Sequence, residues 1–153
     1  MTGNGQTDCG KAQSAKEKKD AIRRRTLAWR RSLGAGDAGK LSAGLCSRLT
    51  AFLEEAWAKE IPILAYAAVR GEADLSACCR RLLEDGKKLY FPRVRGDEMD
   101  FVRVRDLKED LMPGAFGVPE PVGEEISSEG RALALIPGVA FDAGGARAGY
   151  GKG

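Results

Sequence analysis

The chain has 153 residues, of which 43% are apolar and 31% charged, with a formal net charge of +3. This composition is ordinary for a globular protein of one domain, and it contains neither an apolar run of membrane-spanning length nor an apolar signal segment near its start, so we expect a cytoplasmic protein. Histidine is absent, which excludes Ser-His and Cys-His catalytic pairs and leaves carboxylates, lysine, arginine and backbone groups for chemistry.

The N-terminal part predicts a leader followed by a long helix. Residues 1–14 are polar and glycine-rich without an apolar period, so we expect a disordered leader before a single α/β domain over 15–153. The helix is expected over 15–33. Its predicted buried stripe comprises Ile22, Trp29 and Leu33.

Basic residues concentrate in this first helix. Lys19 and Arg23 lie four residues apart, so we expect their side chains to project from one face. Such a face suits an anionic ligand, and a basic nucleic-acid-binding module is an alternative. Because no aromatic stacking platform accompanies the charges, we expect no nucleic-acid partner.

A second helix and a strand are predicted next. The helix is expected over 36–59 with Asp37 as its N-cap. Its predicted buried stripe comprises Leu41, Leu45, Leu49, Phe52 and Ala56. The continuous apolar run 61–69 predicts a strand covered on both faces, and it ends at the turn Arg70-Gly71-Glu72. In open α/β sheets, ligands bind at such carboxyl edges.

The middle of the chain predicts further alternation of helix and strand. A third helix is expected over 74–84, a strand over 88–93 and an antiparallel edge strand over 99–104. Residues 107–129, rich in proline and glycine, predict a long ordered loop. With a last strand at 132–136, this order predicts an α/β three-layer sandwich with a mixed, mostly parallel central sheet flanked by helices. The third helix is expected to be capped by Asp74 and to bury Leu75, Cys79, Leu82 and Leu83.

The segment 137–153 is rich in glycine and contains Arg147 and Lys152. Glycine lets backbone N–H groups crowd around an oxyanion while the two cations supply opposing charge, so the segment predicts a phosphate-binding loop. It does not match the pattern GxxxxGK[ST], because Ala146 stands at its first glycine and Gly153 at its Ser or Thr. A tight surface connection is the alternative.

Several motifs, taken in their order along the chain, resemble one enzyme family. They are Lys19-x-x-x-Arg23, Gly71-Glu72, Gly86-Lys87-Lys88, Phe91-Pro92-Arg93, Phe116-Gly117 with Glu120-Pro121, and Pro137 to Asp142 with Gly145 to Gly153. Together they closely resemble the signature of the 5-formyltetrahydrofolate cyclo-ligases, also called methenyltetrahydrofolate synthetases. The resemblance covers about 19–153 and implies the cyclo-ligase fold.

The resemblance implies an enzyme that uses ATP and Mg²⁺. Members of the family convert 5-formyltetrahydrofolate into 5,10-methenyltetrahydrofolate, through a phosphorylated formyl group, and release ADP and phosphate. Phosphoryl transfer of this kind depends on positioning and on cations, and it does not need histidine. The expected partners are the folate substrate and ATP, without nucleic acid or membrane, and the expected state is a monomer or weak homodimer.

The resemblance also implies site residues. The nucleotide site would comprise Lys19, Arg23, Arg147, Gly149, Gly151, Lys152 and Gly153. Lys152 and Arg147 would be catalytic, with Lys152 neutralising the transferred phosphoryl group. The folate would be bound by Glu72, Tyr150 and Phe116, where Glu72 accepts paired N–H groups from the pterin. Apart from the resemblance, Lys19 and Arg23 would be a solvated basic face and Glu72 an acid at a helix start.

The family's pattern continues past Gly-Lys-Gly with an aspartate associated with Mg²⁺, whereas this sequence ends at Gly153. The resemblance therefore implies a chain incomplete at its C-terminus, with the metal ligand beyond Gly153 and none within it. The alternative function is a folate- or nucleotide-binding fragment without turnover. A third, a basic RNA-associated module, predicts an affinity that falls steeply with salt.

Overall fold

The computed structural model describes residues 8–56, 61–114, 117–127 and 130–150, and in the first of these ranges it describes side chains from 15 to 53. In chain order the elements are α1 (Asp8–Ser32), α2 (Ala35–Ala56), β1 (Ile63–Leu64), α3 (Ser76–Glu84), β2 (Leu89–Arg95), β3 (Glu98–Val104), β4 (Leu111–Pro113), β5 (Pro119–Pro121), β6 (Leu133–Ala134), β7 (Ala140–Phe141) and β8 (Arg147–Ala148). They form two compact units, residues 1–33 with 138–153 and residues 34–137. A single domain over 15–153 stays a prediction.

In the first unit, α1 lies against the antiparallel pair β7 and β8. The helix begins at Asp8, earlier than predicted, and residues 1–7 of the expected leader lie outside the described part of the chain. The predicted apolar stripe is wrong, because Ile22 is exposed and Trp29 is 53% exposed. The half-buried face instead carries Arg23 and Arg30. Their guanidinium groups donate hydrogen bonds to backbone carbonyls in the segment after β6.

The second unit is built on a four-stranded sheet in the order β3-β2-β1-β6. Strand β1 pairs in parallel with β2 and β6, and β2 pairs antiparallel with β3. Strand β1 is shorter than the predicted 61–69, although the N–H of Ala65 still donates to the carbonyl of Tyr90 at 2.8 Å. The predicted α/β class, with a mixed and mostly parallel sheet flanked by helices, is confirmed.

Helix α2 buries a face that agrees only in part with the predicted stripe. Leu41, Leu45 and Phe52 are exposed, Phe52 by 57%, whereas Cys46 and Leu53 are buried. Leu49 of the predicted stripe packs partly buried against the core, and the side chain of Ala56 lies outside the described residues. Three hydrogen bonds to Asp74 and Cys78 hold the buried face of α2 in place. They join the Ser42 hydroxyl to the N–H of Asp74, the Cys46 thiol to the carbonyl of Asp74, and the Thr50 hydroxyl to the Cys78 thiol. The helix begins at Ala35, so Asp37 lies in its first turn and its prediction as N-cap is wrong.

Helix α3 begins at Ser76, two residues later than predicted. The N-cap position is Leu75, so the prediction of Asp74 as the cap is wrong. The Oδ1 atom of Asp74 accepts the N–H of Ser76 at 2.8 Å, which still satisfies one donor at the helix start. The predicted inner face of α3 is confirmed, and Cys78 belongs to it as well. The core of the second unit comprises Cys46, Leu53, Ile63, Ala65, Leu75, Cys78, Cys79, Leu82, Leu89, Phe91 and Val104.

The predicted loop over 107–129 contains regular structure that the sequence analysis missed. Strands β4 and β5 pair antiparallel within it, with Leu111 opposite Pro121. Gly117 has a φ of 73° between the two strands, a conformation that glycine adopts without the steric cost of a Cβ. The pair folds part of this segment back toward β2.

Candidate functional site

A cavity of about 390 Å³ opens where the chain leaves the carboxyl end of β1. Its lining comprises Tyr66 to Glu72, Asp74, Ser76, Cys79, Phe91, Leu107, Leu111 and Pro119. The walls are mostly apolar, and the polar groups cluster on the segment that follows β1. The position agrees with the general rule that α/β sheets bind ligands at the carboxyl ends of their strands.

A tight turn shapes the polar side of this cavity. Arg70 and Gly71 both have positive φ angles, 54° and 75°, and the N–H of Glu72 donates to the carbonyl of Val69 at 3.0 Å. The Tyr66 hydroxyl donates to the carbonyl of Ala73 at 2.9 Å, which ties the end of the turn back to its start. Because Arg70 carries a Cβ in the left-handed region, this turn holds local strain.

Glu72 is the acidic group of the turn, and it lines the cavity. Its Oε2 atom accepts the N–H of Val69 at 3.1 Å, and the side chain is half-buried. The hydrogen bond fixes the carboxylate while leaving further lone pairs for a ligand. A held carboxylate in an apolar cavity is suited to paired N–H donors on a flat heterocycle.

Cys79 belongs to the apolar part of the cavity wall. Burial is the main cause that raises the pKa of its thiol to about 12, with smaller contributions in the same direction from the nearby Cys78, Cys46 and Asp74 and a lowering by Arg80. Burial also raises the pKa of Cys78. Because the thiolate is the reactive form, Cys79 serves as an apolar surface and not as a nucleophile at neutral pH. Cys46, Cys78 and Cys79 are all free and buried.

The first unit holds the described part of the expected nucleotide site. The Nε atom of Arg23 donates to the carbonyl of Gly149 at 2.7 Å, and its Nη1 atom pairs with Asp20 at 2.6 Å. The bond to Gly149 joins residues 126 positions apart in sequence. Two of the residues assigned to the nucleotide, Arg23 and Gly149, are therefore brought together.

Arg30 was not singled out by the sequence analysis, although it lies on the same face of α1 as Arg23. Its Nη2 atom donates to the carbonyls of Gly138 and Val139, at 2.5 and 3.0 Å. A Cβ added at Gly138 would lie 2.5 Å from the Phe141 ring, so the segment passes closely over itself at this point. The sequence could have identified Arg30 by its seven-residue spacing from Arg23, because residues seven apart lie on the same face of a helix.

The turn between β7 and β8 uses its amides internally. The Oδ1 atom of Asp142 accepts the N–H groups of Gly144 and Ala146, at 2.9 and 2.8 Å. The carboxylate thus occupies the position that an external anion would take in a cradle of backbone donors. For residues 142–146, the predicted phosphate loop is instead a self-satisfied turn.

The other predicted site residues are less well placed or undescribed. Lys19 is exposed on α1, Arg147 is exposed on β8, and Tyr150 is 39% exposed. The predicted positions Phe116, Gly151, Lys152 and Gly153 lie outside the described residues. Their assignments stay predictions.

The described residues contain no group of three or more His, Cys, Asp or Glu side chains that can hold a metal ion. None of their helices is both long enough and apolar enough to cross a membrane.

Comparison with known proteins gives consistent matches. The model of the 5-formyltetrahydrofolate cyclo-ligase family matches residues 15–153. A probable 5-formyltetrahydrofolate cyclo-ligase of Caenorhabditis elegans is 34% identical over 111 residues, which cover 66% of this chain and 54% of the relative. The chain thus spans about half the length of the curated relative that it matches.

Two solved structures are also similar. The NMR structure of the 5,10-methenyltetrahydrofolate synthetase of Aquifex aeolicus has a TM-score of 0.75 and 34% identity, over 88% of this chain and 68% of that one. The 5,10-methenyltetrahydrofolate synthetase of Mycoplasma pneumoniae has a TM-score of 0.66 and 21% identity, over 88% of this chain and 72% of that one. At this lower identity the second likeness concerns the fold alone.

Proposed function

The chain belongs to the 5-formyltetrahydrofolate cyclo-ligase family, and on that premise we propose that it acts in the ATP-dependent conversion of 5-formyltetrahydrofolate into 5,10-methenyltetrahydrofolate. The observation that carries the proposal is the cavity at the end of β1, with the fixed carboxylate of Glu72 in its lining. An apolar cavity with one oriented acceptor suits a flat ring that donates paired N–H groups.

The proposed chemistry has two steps. The formyl oxygen attacks the γ-phosphorus of ATP, ADP leaves, and the formyl carbon becomes the electrophilic carbon of an iminium phosphate. The neighbouring folate nitrogen then attacks this carbon and loses its proton, while the C–O bond breaks and phosphate leaves with the original formyl oxygen. Binding and positioning supply most of the catalysis in phosphoryl transfer.

Glu72 would orient the folate in this scheme. A carboxylate that accepts two N–H groups from the pterin fixes the ring plane, and the apolar walls formed by Phe91, Leu107 and Leu111 exclude water from the reacting carbon. The family resemblance also assigns Tyr150 and Phe116 to folate binding, and both assignments are part of the proposal.

The nucleotide would be held by the glycine-rich segment and by α1. The bond from Arg23 to Gly149 supports this, because it fixes the backbone at Gly149. Lys19, Arg147, Gly151, Lys152 and Gly153 are the other proposed nucleotide contacts. Lys152 and Arg147 would stabilise the charge on the transferred phosphoryl group.

Mg²⁺ is the usual companion of ATP in phosphoryl transfer. The described residues do not provide a cluster of oxygen ligands suited to it. In the proposed reaction Mg²⁺ enters as part of the nucleotide substrate.

The direct test is to incubate the purified chain with 5-formyltetrahydrofolate and Mg-ATP, and to follow methenyl absorbance together with ADP. We expect both products in equal amounts, and Lys152→Ala should abolish them while Lys108→Ala, an exposed control on the other unit, should not. ADP without methenyl product, or product that survives Lys152→Ala, would count against the proposal. Folate binding by calorimetry without any product would favour the alternative of binding without turnover.

The remaining properties are proposed on the same basis. We infer a cytoplasmic protein that works as a monomer or weak homodimer on small-molecule substrates. Sedimentation over a range of protein concentrations measures the oligomeric state, and a stable higher oligomer would contradict it.

A further inference from the structure

Arg93 on β2 carries a buried guanidinium group that is only partly satisfied. Its side chain is 11% exposed. The Nη1 atom donates to the carbonyl of Gly123 at 2.6 Å, whereas the Nε and Nη2 atoms are buried without a hydrogen-bond partner. Arginine keeps its charge at any working pH, so this cost cannot be relieved by losing a proton.

The two unsatisfied atoms form one edge of the guanidinium plane. The N–H groups of Nε and Nη2 on that edge point in the same direction, and this is the geometry with which arginine grips the two oxygens of a carboxylate or phosphate. Buried donors without a hydrogen-bond partner are costly in an apolar environment. An oxyanion on this edge would remove the cost and neutralise the charge at the same time.

Nearby carboxylates do not fill this role in the described part of the chain. The Oε2 atom of Glu124 lies 3.9 Å from Nη2, beyond hydrogen-bonding distance, on a side chain that is 83% exposed, and it also pairs with Arg95 at 3.5 Å. Asp100 faces Arg93 across the strand pair, but its ion pair is with Arg95 at 3.8 Å. The Nε and Nη2 edge of Arg93 therefore has an ion pair with Glu124 but no hydrogen-bonded acceptor among the described residues.

The position of Arg93 relates it to the cavity of the second unit. Arg93 lies two residues beyond the cavity-lining Phe91, and side chains two apart on a strand share one face of the sheet. Pro119 at the start of β5 also lines the cavity, and Gly123, which accepts from Arg93, follows that strand. Arg93 thus lies beside the two segments that form this wall.

We propose that Arg93 binds an oxyanion, either a carboxylate or a phosphate, of a ligand held in the cavity, through the paired N–H groups of Nε and Nη2. The identity of the ligands rests on the proposed function: a folate ends in glutamate carboxylates, and ATP carries phosphates. Both present two oxygens to the same edge, and the choice between them is made by the experiment.

The experiment follows the Nε–H signal of Arg93 by NMR in arginine-labelled protein. The probes are N-(4-aminobenzoyl)-L-glutamate, which is the folate tail without its pterin, then ATP and inorganic phosphate. We expect one class of probe to shift this signal in a saturable way. Saturation by the tail fragment alone identifies a carboxylate, and saturation by ATP or phosphate alone identifies a phosphate.

Variants provide the second readout. Arg93→Lys keeps the charge but loses the planar fork, so we expect the affinity for the effective probe to fall about tenfold. Arg95→Lys is the matched control, because it lies on the same strand, pairs with the same Glu124 and should leave the affinity unchanged. If Arg93→Lys does not fold, the titration of the unmodified chain decides alone.

The results separate this proposal from the proposed function. A signal that no probe shifts, or that shifts without saturation, overturns the oxyanion site, as does an equal loss of affinity in the two lysine variants. Methenyl production with an unresponsive Arg93 would refute only this inference. A responsive Arg93 without methenyl production would support this inference and refute only the turnover.

Discussion

Single guanidinium groups determine how distant parts of the chain are joined in the first unit. Arg23 and Arg30 lie seven residues apart on α1, and each donates to backbone carbonyls more than a hundred positions away. Charge-assisted bonds of this kind are stronger than neutral ones and replace the apolar contacts that periodicity predicts. The basic face of α1 is therefore partly structural, whatever anion it also binds.

Arg23→Ala tests that structural role. Removal of the bonds to Gly149 and Asp20 should lower the free energy of unfolding by about 1–3 kcal/mol, because a hydrogen bond from a charged donor is lost. Urea denaturation measures this change, and Arg24→Ala on the exposed face of the same helix is the control. Equal stability of the two variants would mean that the Gly149 contact contributes little.

At the scale of elements, the cysteines place α2 and α3 against each other. Cys46 and Thr50 on α2 hydrogen-bond toward Asp74 and Cys78, and Cys79 continues the same interface into the cavity wall. Leucines on the other side of α2 satisfy the same helical period and still face solvent. Periodicity alone cannot choose between two apolar stripes, whereas pairing of polar groups at the interface can.

Cys79 gives this interface a pH dependence. The pKa of its thiol is raised from 9.0 to about 12 by burial, so its contribution to stability is fully present below pH 9.0 and is lost as the pH rises to about 12. Over that interval the free energy of unfolding of the parent chain should fall relative to Cys79→Ala by about 1.4 kcal/mol per pH unit. Urea denaturation of both proteins at several pH values measures the difference, in which the titrations common to both cancel. If the free energies of unfolding of the two proteins change equally with pH, the pKa of Cys79 is not raised in the folded state.

At the scale of the molecule, each unit contains its own part of the family's signature. The second unit has a four-stranded mixed sheet, a core shared by α2, α3 and the strands, and the cavity with Glu72. The first unit has α1 and the glycine-rich segment, joined through Arg23. Ligand binding to the native state alone stabilises it by mass action, so the cavity can be tested without turnover.

5-Formyltetrahydrofolate at about a hundred times its dissociation constant should add about 2.7 kcal/mol to the free energy of unfolding and raise Tm by about 5–10 °C. Glu72→Gln should lose most of this shift, because an amide cannot accept both N–H groups of the pterin. Glu84→Gln, on the exposed end of α3, is the control and should keep it. A full shift in Glu72→Gln, measured by calorimetric melting, would remove Glu72 from the binding site.

Much of the fold follows from local sequence. Apolar runs and turn residues predicted the order of helices and strands, the antiparallel edge pair β2 and β3, and the turn after β1, because these features depend on neighbours along the chain. The strands β4 and β5 were missed because proline and glycine dominate their segment. The order of the motifs along the sequence likewise indicated the family.

The sequence by itself determined the α/β class, the family and the identity of Glu72 and Arg23 as candidate residues. Only the tertiary structure decided which helix faces are buried, that Asp142 satisfies its own turn, and that Arg93 keeps a buried edge without an acceptor. The physical reason is that burial and hydrogen-bond partners depend on groups far apart in the chain. No local pattern records that Arg23 will meet Gly149, because the acceptor is brought to it by folding.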